Sequence, residues 1–301
     1  MAQTPQHRPE RTRPDRCPGI ERPWKADDGL LVRIRLVAGH LAVADLRALA
    51  RAAEAFGDGR IHLTNRANLQ LRAFPDDGTG HLTEESHRAV VASGLMPSPR
   101  HDLVRNVMAS PLTGIDTAGI DGGRADLTGL ALALDEGIRA SESLATLPGK
   151  FLFVLDDGRG DLLQHPCDLG LVVLDATTAQ LRIGDDLGEV VALDDAARVL
   201  LELAERFVEV RGDGPDAPWH VNEMDAPLAP LAEADPRLPQ PSEPLPFGES
   251  EDGRWNHMGI GPEGIEAAQL VELLGAYREV RVTPWYGVLV WDGAAGKEAR
   301  A

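Results

Sequence analysis

The chain has 301 residues, 43% of them hydrophobic, so it is long enough to form more than one hydrophobic core. No run approaches the apolar length of a membrane span, and a formal charge of −18 argues against nucleic acid and anionic membranes as partners. The two cysteines, Cys17 and Cys167, exclude a disulfide scaffold and make the cytoplasm the expected compartment.

Charge is distributed unevenly along the chain. Residues 1–110 contain 16 Lys and Arg against 13 Asp and Glu, a net charge of +3, whereas residues 111–301 contain 14 against 35, a net charge of −21. A basic tail explains part of the positive excess, because five of the cations precede residue 24. The first third is nevertheless where an anionic ligand would be accepted most readily.

In chain order, residues 1–15 are polar and rich in Pro and Arg, which predicts a disordered leader. Alternation predicts a strand at 29–37, and helical spacing predicts a helix at 45–56. Thr83 is a candidate N-cap for a helix at 84–93. Further on we predict an irregular segment at 104–114, helices at 126–139 and 194–210, strands at 150–156, 169–175 and 180–183, and a linker at 213–250.

An internal repeat is suggested near the end of the chain. Residues 265–291 follow the same order as residues 45–74, with a helix, a strand, a threonine, a break and a strand. Thr283 falls at the position of Thr64. The pattern predicts an α+β protein with two similar halves that pair about a pseudo-dyad.

The stretch RIHLTNRANLQLRAF (60–74) is interpreted as one strand whose odd positions are nearly all apolar. A solvated outer face is the common explanation for the alternate polar positions, but no acid occurs here, and asparagine is a poor strand former. The row suits a flat ligand with several carboxylates, since arginine pairs with them in bidentate fashion. The even positions are His62, Thr64, Arg66, Asn68, Gln70 and Arg72.

Two motifs, TNRANLQLR (64–72) and RNVMASPLTG (105–114), resemble the nitrite/sulfite reductase hemoprotein family, and most closely its precorrin-3B synthase branch. Weaker support comes from CPG at 17–19, LPGKFLFVLDDG at 147–158 and VTPWYGVLV at 282–290. The resemblance implies two ferredoxin-like half-domains flanking one siroheme-type α/β domain. The implied boundaries are a leader at 1–15, half-domain 1 at 16–98, the α/β domain at 99–212, a linker at 213–250, half-domain 2 at 251–293 and a tail at 294–301.

The resemblance also implies an acidic, siroheme-like tetrapyrrole as cofactor or substrate. Its carboxylates are expected to contact Arg66, Arg105 and Lys150, together with Arg33 or Arg35. Asn68 and Gln70 are expected to hold the ring edge or a substrate group. With Thr64 and Asn106 these residues form the expected cofactor-binding set, to which we add no catalytic residue and no metal ligand.

The activity that the resemblance implies is that of a cytoplasmic oxidoreductase of cobalamin biosynthesis. It would bind precorrin-3A for O2-dependent hydroxylation and lactone formation, with a [4Fe–4S] cluster and a further iron. Two cysteines cannot supply four thiolates, so we expect a short form without the cluster domain. Leu152 and Gly149 replace bases that the reductases carry, which makes reduction of nitrite or sulfite less expected.

Three alternatives stay open at this point. The chain could use a different iron site, a second subunit could supply the cluster, or the protein could bind a tetrapyrrole without chemistry. We considered His165, Cys167 and Asp168 together, and His220 and His257 singly, as iron ligands. For each of them a structural role is the more common one.

Overall fold

The computed structural model describes residues 15, 17–116, 122–214 and 216–294. The predicted leader and tail therefore lie outside the described residues, apart from Asp15 and Ala294. The strands are β1 (Trp24–Ala26), β2 (Gly29–Ile34), β3 (His40–Ala42), β4 (Arg60–Leu63), β5 (Leu69–Phe74), β6 (Val107–Ala109), β7 (Phe153–Asp156), β8 (Leu169–Val173), β9 (Thr178–Ile183), β10 (Asp186–Ala192), β11 (Gly248–Glu249), β12 (Trp255–Gly259), β13 (Ile265–Glu266), β14 (Glu279–Thr283) and β15 (Gly287–Trp291). The helices are α1 (Val43–Phe56), α2 (Glu84–Val91), α3 (Thr128–Ala140), α4 (Leu193–Arg211) and α5 (Ala267–Leu274).

The chain divides into two compact units. Unit 1 comprises residues 1–16 and 104–243, and unit 2 comprises residues 17–103 and 244–301. Unit 2 thus unites an early and a late segment, and the residues predicted as a linker, 213–250, are shared between the units. None of the helices in the described part of the chain is long and apolar enough to cross a membrane.

Unit 2 contains two five-stranded sheets, ordered β1-β2-β5-β4-β13 and β11-β12-β15-β14-β3. Each half of the unit contributes one short strand to the sheet of the other half. Glu266 on β13 pairs with Arg60 on β4, and Ala42 on β3 pairs with Glu279 on β14. This reciprocal exchange confirms the predicted repeat and its pseudo-dyad.

One apolar core holds the two halves of unit 2 together. Leu46 and Leu49 of α1 and Leu270 and Leu274 of α5 are all fully buried in it. Their i, i+3 and i, i+4 spacing gives each helix one apolar stripe, and the odd residues of β4 and β5 cover the same core. The predicted helix at 45–56 is therefore confirmed, with its start two residues earlier.

Unit 1 is a five-stranded mixed sheet, ordered β10-β9-β8-β7-β6, with β6, β7 and β8 parallel. Its core includes Phe151, whose ring centre lies 5.3 Å from that of Phe153 and 4.9 Å from that of Phe207. The segment 104–114, predicted to be irregular, contains β6. Strand β10 was not predicted, because the polar residues of 186–192 obscure its strand pattern. The predicted helices at 126–139 and 194–210 correspond to α3 and α4.

Candidate anion-binding site

The segment 60–74 is a hairpin and not the single strand that its alternation predicted. β4 ends at Leu63 and β5 begins at Leu69. Between them Thr64 N donates to Asn68 O at 3.0 Å, and Ala67 N donates to Thr64 O at 3.1 Å. Ala67 has a φ of +54°, so the chain reverses there. The two asparagines, unfavourable in a strand, fit this turn.

The predicted division into two faces holds within each arm of the hairpin. His62 on β4 lies opposite Gln70 on β5, and Gln70 lies opposite Arg33 on β2. Side chains that are paired in this way share one face of the sheet. Ile61 and Leu71 on the opposite face are fully buried. The polar face therefore spans three adjacent strands.

Arg33 is the unusual member of this face. Its side chain is partly buried, yet it makes no hydrogen bond or ion pair to any residue that the structure describes, and its Nε is both buried and unsatisfied. Burial is the largest cause of the lowered pKa of Arg33. The positive charge of Arg66 also lowers this pKa, whereas the interaction with Cys17 raises it. By contrast, Arg72 on β5 pairs with Asp28 at 2.9 Å.

Arg35 extends the positive cluster into the interior. It is 3% exposed, and its Nη1 donates to Pro18 O at 3.2 Å and to Asp102 O at 2.8 Å. Burial lowers its pKa to about 10, and the neighbouring Arg33 charge acts in the same direction. The group still carries its charge at neutral pH. The CPG motif thus has a visible role, because its proline carbonyl holds this guanidinium.

Asn68 and Thr64 organise the turn beside the cluster. Asn68 Oδ1 accepts from Leu36 N at 2.8 Å, and Asn68 N donates to Thr64 Oγ1 at 3.2 Å. The side chain of Asn68 is 1% exposed, and its Nδ2 has no hydrogen-bond partner among the described residues. A buried amide group without an acceptor is costly, so this nitrogen indicates a place for a ligand oxygen.

Unit 2 therefore brings together six of the nine predicted cofactor-binding residues. They combine fixed positive charge with unsatisfied donors, and no carboxylate from the described residues pairs with Arg33. Such a set fits an anionic ligand with several acceptor oxygens. The six are Arg33, Arg35, Thr64, Arg66, Asn68 and Gln70.

The other half of unit 2 carries the same turn without the donors. Tyr286 has a φ of +59°, and Gly287 N donates to Thr283 Oγ1 at 3.2 Å, as Asn68 N does to Thr64. His257 occupies the register position of Arg33, but it is fully buried and is bonded to Thr283 Oγ1 at 2.9 Å. The Phe247 ring lies 4.6 Å from it. The equivalent face is therefore covered by the chain itself.

The remaining three predicted residues lie in unit 1. Arg105 Nε donates to Asp135 at 2.6 Å in a buried ion pair, which Arg139 shares from 2.9 Å. Asn106 Nδ2 donates to Gly149 O at 3.1 Å. Lys150 is exposed, with its Nζ 5.5 Å from the centre of the Trp219 ring. Their role toward a ligand stays a prediction.

The considered iron ligands of unit 1 do not form one set of metal-facing groups. Burial raises the pKa of the Cys167 thiol to about 12, so it remains protonated. His165 is partly buried and has a pKa lowered by that burial. Asp168, in contrast, pairs with His220, a contact that sequence spacing could not reveal because 52 residues separate them.

Residues 24–87 match the family described as Nitrite/Sulfite reductase ferredoxin-like half domain. A precorrin-3B synthase from a Sinorhizobium species is 34% identical over 144 residues, which cover 47% of this chain and 28% of that protein. A ferredoxin–nitrite reductase from Synechococcus elongatus is 32% identical over 133 residues, covering 43% of this chain and 25% of that protein. The matches thus span about a quarter of these relatives.

The solved structure of the NirA protein from Mycobacterium tuberculosis has a similar fold. Its TM-score is 0.61 at 17% identity, and the similarity covers 89% of this chain and 56% of that one. An identity this low supports the fold alone. The reciprocal strand exchange in unit 2 agrees with the match of residues 24–87 to a nitrite/sulfite reductase ferredoxin-like half domain.

Proposed function

We propose that the polar face of the first half of unit 2 binds an acidic tetrapyrrole. The observation that carries the proposal is the guanidinium group of Arg33, partly buried and without an anionic partner among the described residues. Arg66 lies close enough for its charge to lower the pKa of Arg33, and the charge of Arg33 in turn lowers the pKa of Arg35. A ligand with several carboxylates would relieve this repulsion.

A flat macrocycle with acetate and propionate groups suits the site better than a compact anion. The donors lie on three adjacent strands about 4.8 Å apart, so together they match a ligand of extended outline. Guanidinium groups bind carboxylates in planar, paired hydrogen bonds. Asn68 Nδ2 and the Gln70 amide offer neutral donors between the charges.

We further propose that the protein is a precorrin-3B synthase-like oxidoreductase of cobalamin biosynthesis. Support comes from the relative of that name, 34% identical over 144 residues, and from the match of the half domain. The substrate would be precorrin-3A, hydroxylated with O2 and closed to a lactone. The residues described above would bind and orient its carboxylates; we assign none of them to the chemical step.

The cysteines do not fit a four-thiolate iron–sulfur cluster. The chain has two, of which Cys17 lies in unit 2 and Cys167 in unit 1, and both are buried. A [4Fe–4S] cluster normally takes four thiolates, so it would need ligands from elsewhere, and we propose a second subunit as their source.

The experiment that tests the activity is aerobic incubation of the purified chain with precorrin-3A and a reductant. A product that has gained oxygen, identified by mass spectrometry, supports the oxidoreductase. Tight binding with unchanged ligand mass favours the alternative, a non-catalytic tetrapyrrole-binding subunit. Reduction of nitrite under the same conditions would favour the other relatives, the ferredoxin–nitrite reductases.

A further inference from the structure

His62 is a histidine on the polar face that the proposed ligand-binding set does not include. It lies opposite Gln70, and Gln70 lies opposite Arg33, so the three side chains form one row across β4, β5 and β2. Cβ atoms of neighbours in such a row are about 5 Å apart. The side chain of His62 is 13% exposed. A flat ligand that covers Arg33 and Gln70 therefore extends to this imidazole.

One nitrogen of the His62 ring is anchored, and the other makes no hydrogen bond to any residue that the structure describes. Nε2 lies 2.8 Å from Asp58 Oδ2, and because a carboxylate only accepts, this contact keeps a proton on Nε2. Gly264 leaves space beside Nδ1, since a Cβ on that residue would lie 2.8 Å from it. Neutral His62 therefore has a lone pair at Nδ1, and the protonated ring has a donor there.

The charge at this end of the polar face depends on His62. Arg72 pairs with Asp28 at 2.9 Å, and its pKa is raised first by that bond and also by the charge of Asp58. The pKa of Asp28 is lowered first by Arg72 and also by the charge of His62, so the four groups lie close together. Arg72 offsets only one of the two carboxylates. The group therefore carries one net negative charge while His62 is neutral and none once it is protonated.

The remaining charged groups beside His62 already form a pair. Arg60, earlier on β4, is bonded to Glu266 on the neighbouring strand β13. The proton on His62 thus decides whether Asp58 repels a ligand carboxylate at this end of the face. Histidine is the side chain that ordinarily changes charge between about pH 5 and 8, so this control would act near neutrality.

We propose that His62, anchored by Asp58, is a further contact of the ligand, and that an anionic ligand binds with uptake of a proton by this imidazole. The inference rests on the proposed function, because that function supplies a ligand with several carboxylates. Binding that takes up a proton weakens as the pH rises, since the proton must come from solvent.

The test is isothermal titration of the full chain with metal-free uroporphyrin, a ring with eight carboxylates, at pH 7.5 in two buffers of different ionisation enthalpy. The difference in heat gives the number of protons taken up on binding. His62→Gln should take up fewer protons than wild type, by up to about one per ligand. His87→Gln is the matched control and should equal wild type, because His87 also contacts an acid, Glu21, but lies on α2. Comparing variants cancels the protons that the porphyrin itself exchanges.

A second variant should gain affinity, which a folding defect would not produce. Asp58→Asn removes the carboxylate charge, while its amide oxygen can still accept from Arg60 N, which donates to Asp58 Oδ1 at 3.0 Å. At pH 8.5, where His62 is ordinarily neutral, this variant should bind uroporphyrin about 2- to 5-fold more tightly than wild type. At pH 6 the two proteins should differ less.

The outcomes separate the two proposals. Equal proton uptake by His62→Gln and wild type overturns the role of His62, and so does an Asp58→Asn variant that binds no more tightly than wild type at pH 8.5. If uroporphyrin does not bind to the wild-type chain, the proposed function fails together with this inference. If it binds to wild type and to both variants alike, only the inference fails.

Discussion

At the scale of single residues, charged groups held largely away from solvent are the informative feature of this molecule. Arg33 in unit 2 is one case, and Asp161 in unit 1 is another. Burial raises the pKa of Asp161 well above its ordinary value, and the nearby charges of Asp156 and Asp157 raise it further. Ser110 donates to it at 2.6 Å, which offsets part of the effect. Three carboxylates, those of Asp156 and Asp157 buried and that of Asp161 half-buried, thus lie close together where β7 ends.

Asp161→Asn is expected to stabilise the protein at neutral pH. Because the folded pKa is raised, the stability from the protonated carboxyl is full below the unfolded pKa and is lost as pH rises through the folded value. The amide cannot ionise and avoids this loss, so the gain should reach roughly 1–3 kcal/mol at pH 8. Urea unfolding at pH 4.5 and 8 measures it. A variant less stable than wild type at pH 8 would contradict the reasoning.

The residues of the site could be anticipated only in part. Arg33, Arg35 and Arg66 followed from the motif resemblance and are close together, because the charge of Arg66 lowers the pKa values of Arg33 and Arg35. Asn68 accepts a hydrogen bond from Leu36 N, and its Nδ2 has no partner among the described residues. Both features depend on the turn at residues 64–68, which the alternating pattern did not predict. The pairing of His220 with Asp168 joins distant parts of the chain and leaves no local signal.

At the scale of elements, the two turns of unit 2 offer an internal comparison. Thr64 and Thr283 each accept, through Oγ1, from the backbone nitrogen four residues later, at 3.2 Å. Thr283 is fully buried and also bonds His257, whereas Thr64 is only partly buried. The same turn therefore lies in two different environments.

Threonine-to-valine substitutions should separate these environments. Thr64→Val removes the bond to a backbone nitrogen and should lower the free energy of unfolding by about 1 kcal/mol. Thr283→Val additionally leaves a buried imidazole nitrogen without its partner and should cost about 2–3 kcal/mol. Denaturant titration of both variants measures the difference. Equal losses would show that the His257 contact contributes nothing.

Elements with a strong period were predicted well, and short ones were not. The stripe of α1 and the cap of α2, where Ser86 N donates to Thr83 Oγ1 at 3.4 Å, were visible in the sequence. The three-residue strand β6 is too short to show a period, and it forms because β7 pairs beside it. In the hairpin, β-strand alternation on both sides masked the turn at residues 64–68.

At the scale of the whole molecule, the net negative charge of the protein is unfavourable for binding an anionic ligand. The protein carries −18, and the proposed ligand is itself a polyanion, so long-range repulsion opposes their encounter. The attraction is local and comes from partly buried guanidinium groups, which salt screens less. Association and dissociation should therefore respond differently to ionic strength.

We expect the association rate of uroporphyrin to rise about 2- to 10-fold between 10 and 150 mM salt, because screening weakens the repulsion. The dissociation rate should change much less. Stopped-flow fluorescence at constant pH measures both rates. An association rate that falls with added salt would mean that a local positive field dominates the approach.

The internal repeat predicted the two-unit organisation of the chain, whereas the composition of the expected linker did not. The similarity of 45–74 to 265–291 indicated that distant segments fold together, and unit 2 unites them. The Pro- and acid-rich stretch at 213–250 gave no comparable information, since residues up to 243 belong to unit 1. The composition of a segment indicates whether it is exposed to solvent, whereas the repeat indicates which distant segments pair with each other.

The central claim is that the arginine cluster of unit 2 exists to bind a polycarboxylate ring. Arg33→Ala and Arg66→Ala should each weaken uroporphyrin binding by about 1–3 kcal/mol, which is roughly 5- to 150-fold in Kd. Arg88→Ala on α2, an exposed arginine paired with Glu84, is the control and should leave the Kd unchanged.

Isothermal titration of these variants, with denaturant unfolding of the ligand-free proteins beside it, is the most direct measurement. Because Arg33 is repelled by Arg66 and lacks an anion among the described residues, Arg33→Ala should bind more weakly and yet unfold no more easily than wild type. A wild-type Kd for both Arg33→Ala and Arg66→Ala would contradict the account.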